Sequence, residues 1–203
     1  MTQEKPGIRL FVPSTFSPGA VLALSEGQSH YVFHVMRLKE GDELLVFNGK
    51  DGEWLAQIVA VRKKQVNIAL KEPLRPQKSA PDLWLVFAPI KGKTEQVVEK
   101  AVELGVSNII PVFTRHSVVK SVNMEKLMAH AVEAAEQCER LDVPPIENDG
   151  DLHDIMQRWP TERTLLYADE SGGGAPLGTL LTELRRTPCG VLVGPEGGFS
   201  KEE

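Results

Sequence analysis

One change of pattern, near residue 76, constrains this chain more than any other feature. Before it, apolar residues alternate with polar ones in short runs. After it, continuous apolar runs take turns with stripes that repeat every three to four residues. Residues 43–48 (Glu-Leu-Leu-Val-Phe-Asn) and 54–62 (Trp-Leu-Ala-Gln-Ile-Val-Ala-Val-Arg) are strand-like, and Gly49-Lys-Asp-Gly52 between them predicts a hairpin turn. Residues 65–70 continue the meander, and 8–12 and 20–24 predict two more short strands. Residues 28–38 predict a short helix. Five short strands in this length imply a small closed or half-closed barrel.

The change itself falls on Glu72-Pro-Leu-Arg-Pro-Gln-Lys-Ser-Ala-Pro81. Three prolines in ten residues predict a linker, because proline donates nothing to a ladder and breaks a helix interior. The expected domains are therefore 1–75 and 80–203. In the second, 83–88 is an apolar run of the kind a parallel strand buried on both faces requires. Residues 94–104 form a helix with Gly105 as its stop, and 108–113 a strand whose Pro111 favours an edge or a bulge. Asn123 caps a helix running to about Arg140, with Met124, Leu127, Met128, Ala131, Ala135 and Cys138 facing inward. Residues 164–168 are a strand, 172–174 a glycine loop, 176–185 a helix and 189–193 a strand. Alternating strands and helices define an α/β domain with a mostly parallel sheet.

Charge is divided along the chain. Residues 1–78 hold 11 Lys and Arg against 8 Asp and Glu, and 79–203 hold 12 against 20. The mildly basic front half suits a polyanion, although a solvated face accounts for a charge of +3 equally well. The polar N-terminus predicts no signal peptide, and no apolar stretch approaches the ~18 residues of a membrane span. Cys138 and Cys189 stand far apart, so neither a disulfide framework nor a zinc site is expected, and a reducing cytoplasm fits. His30 and His34 have a spacing a metal could use, but no third ligand stands nearby in sequence, so packing or RNA contact is expected. Arg62-Lys-Lys64 reads as a solvated turn, with phosphate contact second.

The last strand runs into Gly194-Pro-Glu-Gly-Gly-Phe-Ser200. Glycines at the carboxyl end of a parallel strand let main-chain groups approach a ligand closely. The loop is neither a phosphate loop, which requires Gly-Lys before Ser or Thr, nor a dinucleotide fingerprint, which follows the first strand of its domain. A tight strand-to-helix turn is the competing reading. Ser200 and Glu203 form a capping box that announces a further helix.

Several segments together resemble one family. Gly92-Lys-Thr-Glu-Gln-Val-Val-Glu-Lys-Ala-Val-Glu-Leu-Gly-Val106 is similar to its K-x-TELGV helix. Ile109-Ile-Pro-Val112 and Thr114-Arg-His-Ser-Val-Val-Lys120 follow at its spacing, then Ala134-Ala-Glu-Gln-Cys-Glu-Arg140 and Val143-Pro-Pro-Ile146. Val193 to Glu203 resembles its cofactor loop, and Met36-Arg-Leu-Lys39 with Gly41-Asp42 and Phe47-Asn-Gly49 its N-terminal domain. The family is the RsmE-type 16S rRNA (uracil-N3) methyltransferases of the SPOUT class. The resemblance implies a PUA-like RNA-binding β-barrel, then an α/β domain with a trefoil knot that binds S-adenosylmethionine. It further implies homodimers that methylate uridine N3 in 16S rRNA of the 30S subunit.

Uridine N3 must lose a weakly acidic proton before it can accept a methyl group, and the uracil oxygens then need donors. Arg115, His116, Glu136, Gln137 and Arg140 are the candidates, of which Arg140, Glu136 and Arg115 carry the catalytic expectation. On spacing alone Glu136 and Arg140 read as a surface ion pair four residues apart. The family pattern Thr-Glu-Arg-Ser appears here as Thr114-Arg-His-Ser117. Cofactor contacts are implied at Ala168, Glu170, Val193, Gly194, Pro195, Glu196, Gly197 and Gly198, with a first knot loop at 169–171. RNA contacts are implied at Arg9, Arg37, Lys91 and Lys93. The family's third cofactor loop would lie beyond residue 203, so a chain cut short at its C-terminus is expected to bind the donor weakly or not at all. A non-catalytic RNA-binding protein that uses the barrel alone is the alternative reading.

Overall fold

The computed structural model describes residues 6–62, 65–147, 150–168, 173–184 and 187–203. They fall into two compact units, residues 1–79 with Ala135–Val143, and Ala80–Ala134 with Pro144–Glu203.

In the first unit the strands are β1 (Arg9–Phe11), β2 (Val21–Ala23), β3 (Glu43–Phe47), β4 (Glu53–Arg62) and β5 (Gln65–Arg75). They form one sheet in the order β1-β3-β4-β5-β2, antiparallel except for the β1–β3 pair. Leu10 on one edge strand and Leu24 just past the other share a single core with Leu44, Trp54, Ile58 and Ile68. A flat sheet would hold its edges apart, so the shared core is the mark of a barrel-like curl.

The predicted linker is corrected here. β5 continues through Pro73, which lies opposite Trp54, as far as Arg75. The register shifts just before Trp54 and again after Leu55, so Pro73 sits in an irregular stretch of the ladder where a strand tolerates a residue without a donor. The hairpin turn ends at Gly52 with φ +79°, where a Cβ would lie 2.1 Å from the Arg75 carbonyl oxygen. Only glycine fits both the dihedral and the gap.

The predicted helix at 28–38 is shorter and mixed. Ser25 caps α1 (Glu26–His30) with a full capping box, and the chain then widens into a π turn over Tyr31–Val35. Val32 plugs the barrel core while Tyr31, Phe33, Val35 and Met36 are left exposed.

The second unit holds β6 (Leu83–Phe87), α2 (Thr94–Glu103), β7 (Asn108–Phe113), α3 (Met124–Gln137), β8 (Gly150–Asp151), α4 (Leu152–Gln157), β9 (Thr164–Tyr167), α5 (Leu177–Glu183) and β10 (Cys189–Val193). Its sheet runs β8-β7-β6-β10-β9, parallel throughout. On the edge of β7 away from β6, the described residues place the two-residue β8 and a bridge from Ile109 to Ile146, and Pro111 falls between those contacts. Val86, Ile110, Val112 and Leu192 turn one face of this sheet onto Leu152 and Ile155 of α4.

α4 and β8 were not expected from the sequence, although Asp151 is a plain N-cap that accepts the His153 amide at 2.8 Å. Asn123 caps α3 as expected, accepting the Lys126 amide at 2.9 Å. The inward face of α3 is narrower than its pattern suggested. Leu127, Ala131, Ala134 and Ala135 are buried, but Met128 is 37% exposed and Cys138, just beyond the helix, is exposed. Glu139 takes φ 59° there, so the chain has left the helical stripe on which Cys138 was placed. No helix among the described residues is long and apolar enough to cross a membrane.

Candidate functional site

The carboxyl edge of the parallel sheet gathers one group of residues. β9 and β10 run side by side, Thr164 opposite Cys189, so their ends emerge together. The Ala168 amide donates to the Leu192 carbonyl at 3.0 Å, and the Ala88 amide, at the end of β6, donates to the Val193 carbonyl at 3.0 Å. Beyond Val193 the chain makes a tight turn in which the Gly198 amide reaches the Pro195 carbonyl at 3.0 Å, with Gly198 at φ 68°. Phe199 then folds back over Gly194, so closely that a Cβ there would stand 2.5 Å from its ring. The same ring meets Tyr167 edge-on at 5.3 Å. The result is a stretch of bare main chain at the place where open α/β sheets bind ligands. The sequence pattern missed Phe199 and Tyr167; an aromatic directly after the paired glycines was the signal available.

The turn after β7 faces this loop. Thr114 and Ser117 are buried, and Ser117 Oγ accepts the Thr114 amide at 2.9 Å. His116 Nδ1 lies 3.2 Å from the carbonyl oxygens of both Gly197 and Gly198. The Arg115 guanidinium, largely exposed, donates to Glu202 at 2.8 Å, and its amide donates to Glu203 at 2.8 Å. Ala168, Val193, Gly194, Pro195, Glu196, Gly197 and Gly198 are thus together, with Arg115 and His116 against the same segment. Glu170 and the expected loop at 169–171 lie outside the described residues.

Glu136 and Arg140 stand in the first unit. Glu136 accepts the Phe11 amide at 2.8 Å, and Arg140 grips Asp142 with Nε at 2.9 Å and a terminal nitrogen at 3.2 Å. Gln137 is exposed beside them. Arg9 departs furthest from its expected RNA contact. Its side chain is 7% exposed, with Nε on Glu53 at 2.5 Å. Its terminal nitrogens donate to the carbonyls of Ala135 at 2.8 Å and Arg140 at 2.5 Å, and the guanidinium stacks 4.0 Å above Phe47. Arg75 joins from the other side, bonded to Glu53 at 2.7 Å and to the Glu139 carbonyl at 3.0 Å. Burial alone would push the Glu53 carboxyl up; hydrogen bonds from Arg75 and Arg9 outweigh it and hold it below its usual value. Two cations at the carbonyl end of α3 complement the helix dipole. Arg37, at φ 57°, is exposed, and so are Lys91 and Lys93.

A small barrel-like unit followed by a parallel α/β unit with a glycine loop is the architecture that RNA methyltransferase family profiles match here, which makes the chain an RNA-modifying methyltransferase. Family profiles described as an RNA methyltransferase domain and an RNA methyltransferase PUA domain match residues 77–203 and 24–71. The ribosomal RNA small subunit methyltransferase E of Rickettsia conorii is 36% identical over 96% of this chain and 80% of its own length. That of Buchnera aphidicola from Schizaphis graminum is 26% identical over 95% and 80%. Among solved structures, a methyltransferase from Legionella pneumophila in complex with S-adenosylmethionine is similar with a TM-score of 0.81, at 29% identity over 96% of this chain and 82% of that one. The chain belongs to the ribosomal RNA small subunit methyltransferase E family.

Proposed function

We propose that this protein methylates N3 of a uridine in 16S rRNA, acting on the 30S subunit in the cytoplasm, as a homodimer, with S-adenosylmethionine as methyl donor. The observation that carries the reading is the glycine loop at the carboxyl edge of the sheet, in a chain related over nearly its whole length to small-subunit rRNA methyltransferases.

The residues present fit the donor. Gly194, Gly197 and Gly198 bring main chain without side chains to this edge, and Val193 and Ala168 add exposed apolar surface beside them. Such a lining recognises an uncharged adenosine by hydrogen bonds and contact, without a phosphate cradle. Ala168, Val193, Gly194, Pro195, Glu196, Gly197, Gly198 and Glu170 would hold it. When bound, S-adenosylmethionine supplies an electrophilic methyl group.

The protein's own residues have two tasks at the uridine. One is to bring N3 into line and draw off its proton; the other is to stabilise the negative charge that spreads to the uracil oxygens. Arg140 and Arg115 are the proposed donors to those oxygens, and Glu136 the proposed acceptor in the proton's path. Arg37, Lys91 and Lys93 offer exposed cations to rRNA phosphates.

Mass spectrometry of 16S rRNA from a strain lacking the gene tests the reading. Loss of one N3-methyluridine is expected, restored by the intact gene and not by an Arg140→Ala copy. An unchanged modification pattern would overturn it.

A further inference from the structure

We propose that His116 is a positioning residue for the glycine loop, whose Nδ1–H sets the orientation of the Gly197 and Gly198 carbonyls for the methyl donor. The inference rests on the reading that this loop takes S-adenosylmethionine.

The argument starts from one ring nitrogen between two carbonyl oxygens, 3.2 Å from each. Peptide carbonyls only accept, so Nδ1 carries the proton and shares it between them. In the neutral ring that leaves Nε2 unprotonated, and Nε2 has no hydrogen-bond partner among the described residues. Donation at Nδ1 therefore fixes the tautomer.

The ring also stands on a firm base. Thr114 is 4% exposed and Ser117 3%, and the two are joined amide to hydroxyl at 2.9 Å, hydroxyl to hydroxyl at 3.0 Å and amide to carbonyl at 3.1 Å. The same turn holds the segment after the loop at two more points, through the Arg115 amide on Glu203 and the Arg115 guanidinium on Glu202.

The loop is weakly determined by itself. Within 194–198 its turn is closed by the Gly198 amide on the Pro195 carbonyl, and glycine main chain has more conformations to lose than any other. A donor mounted on a rigid neighbouring turn removes that freedom before the ligand arrives, and this is how preorganisation raises affinity. Packing agrees with the assignment: a Cβ on Gly197 would lie 3.3 Å from His116 Cβ and 3.9 Å from its Cγ, so the loop runs close beside this side chain. The role is a donor's role, which an arginine could also fill but a glutamate could not.

Two measurements on the full chain decide the matter. Nitrogen-15 NMR of the imidazole rings at pH 8, with the His116→Asn spectrum used for assignment, is expected to show His116 as the Nδ1–H tautomer. Free histidine favours Nε2–H, so finding Nε2–H at His116 would overturn the proposal. Calorimetry with S-adenosylmethionine is the second. Losing one hydrogen bond to the loop should weaken binding about tenfold in His116→Ala. His116→Asn places an amide where Nδ1 stands and should stay within about threefold of the parent. Alanine binding as tightly as the parent, or asparagine as weakly as alanine, overturns the proposal. If the parent chain binds no S-adenosylmethionine, the tautomer alone decides whether His116 fixes the loop, while the proposed function stands or falls on the 16S rRNA modification pattern.

Discussion

Arg9 donates Nε to a carboxylate oxygen of Glu53 at 2.5 Å, and the two side chains are 7% and 0% exposed. A pair this deep is costly to break from one side, because the remaining charge stays buried. Arg9→Ala should lower the stability of the first unit by about 3 kcal/mol. Urea unfolding followed by the fluorescence of Trp54 reads it; a loss below about 1 kcal/mol would place the pair among weakly contributing surface bridges.

Glu53 also gives the first unit a pH dependence. Its carboxyl lies below its usual 4.5 when folded, through Arg75 and Arg9 against the opposing effect of burial. The unfolded chain then binds more protons over that interval, so stability rises with pH there. The contribution is complete above about 4.5 and is lost as pH falls through the lower folded value. Asp51, held down by the Phe16 amide and by Asn48, acts in the same direction. The gap in melting temperature between the parent and Glu53→Gln should therefore narrow between pH 5 and pH 2. A gap that stays constant would show that the carboxylate charge is not what the two arginines stabilise.

Gly194 gives a steric prediction at the proposed cofactor edge. An alanine Cβ would stand 2.5 Å from the Phe199 ring, which must move off the loop and off Tyr167. Gly194→Ala should weaken S-adenosylmethionine binding by about tenfold, and adding Phe199→Ala should recover part of that by removing the clash. Equal affinity in Gly194→Ala and the parent would mean that the ring does not shape the site.

Lys91 and Lys93 are exposed, and Arg9 is not. If the lysines face rRNA phosphates, each neutralisation should lower the slope of log affinity against log salt by about 1. Fluorescence anisotropy with a 16S rRNA fragment over a salt series measures this. An Arg9→Gln chain, by contrast, should keep the parent's slope while melting earlier.

The sequence was legible where a pattern had one physical cause. Strands 43–48 and 189–193, the glycine turn between β3 and β4 and the Asn123 cap each come from a local rule, and each is found within a residue or two. Residues went astray where tertiary structure supplied what the local rule lacked. Pro73 stays in a strand because irregularities beside Trp54 remove the need for its amide. Arg9 was implied as an RNA contact by the family resemblance alone; its partners lie 44 and more than 120 residues away, beyond the reach of any local pattern. The glycine loop could be located from its sequence, but the His116 contact joins residues 81 and 82 apart, which no local period reveals.

The order of strands has a consequence for how the protein is made. β10 lies between β6 and β9 although it is synthesised after both. Until it arrives, β6 and β9 have no common neighbour, and each presents an open edge of unpaired amides and carbonyls. The parallel sheet can close only when Cys189 finds its place beside Leu83 and Thr164. Contacts this distant in sequence form slowly. The nascent chain therefore passes through a stage in which its sheet is open in the middle. A chaperone would matter most at that stage, because the carboxyl edge where β9 and β10 emerge together does not form until β10 is seated.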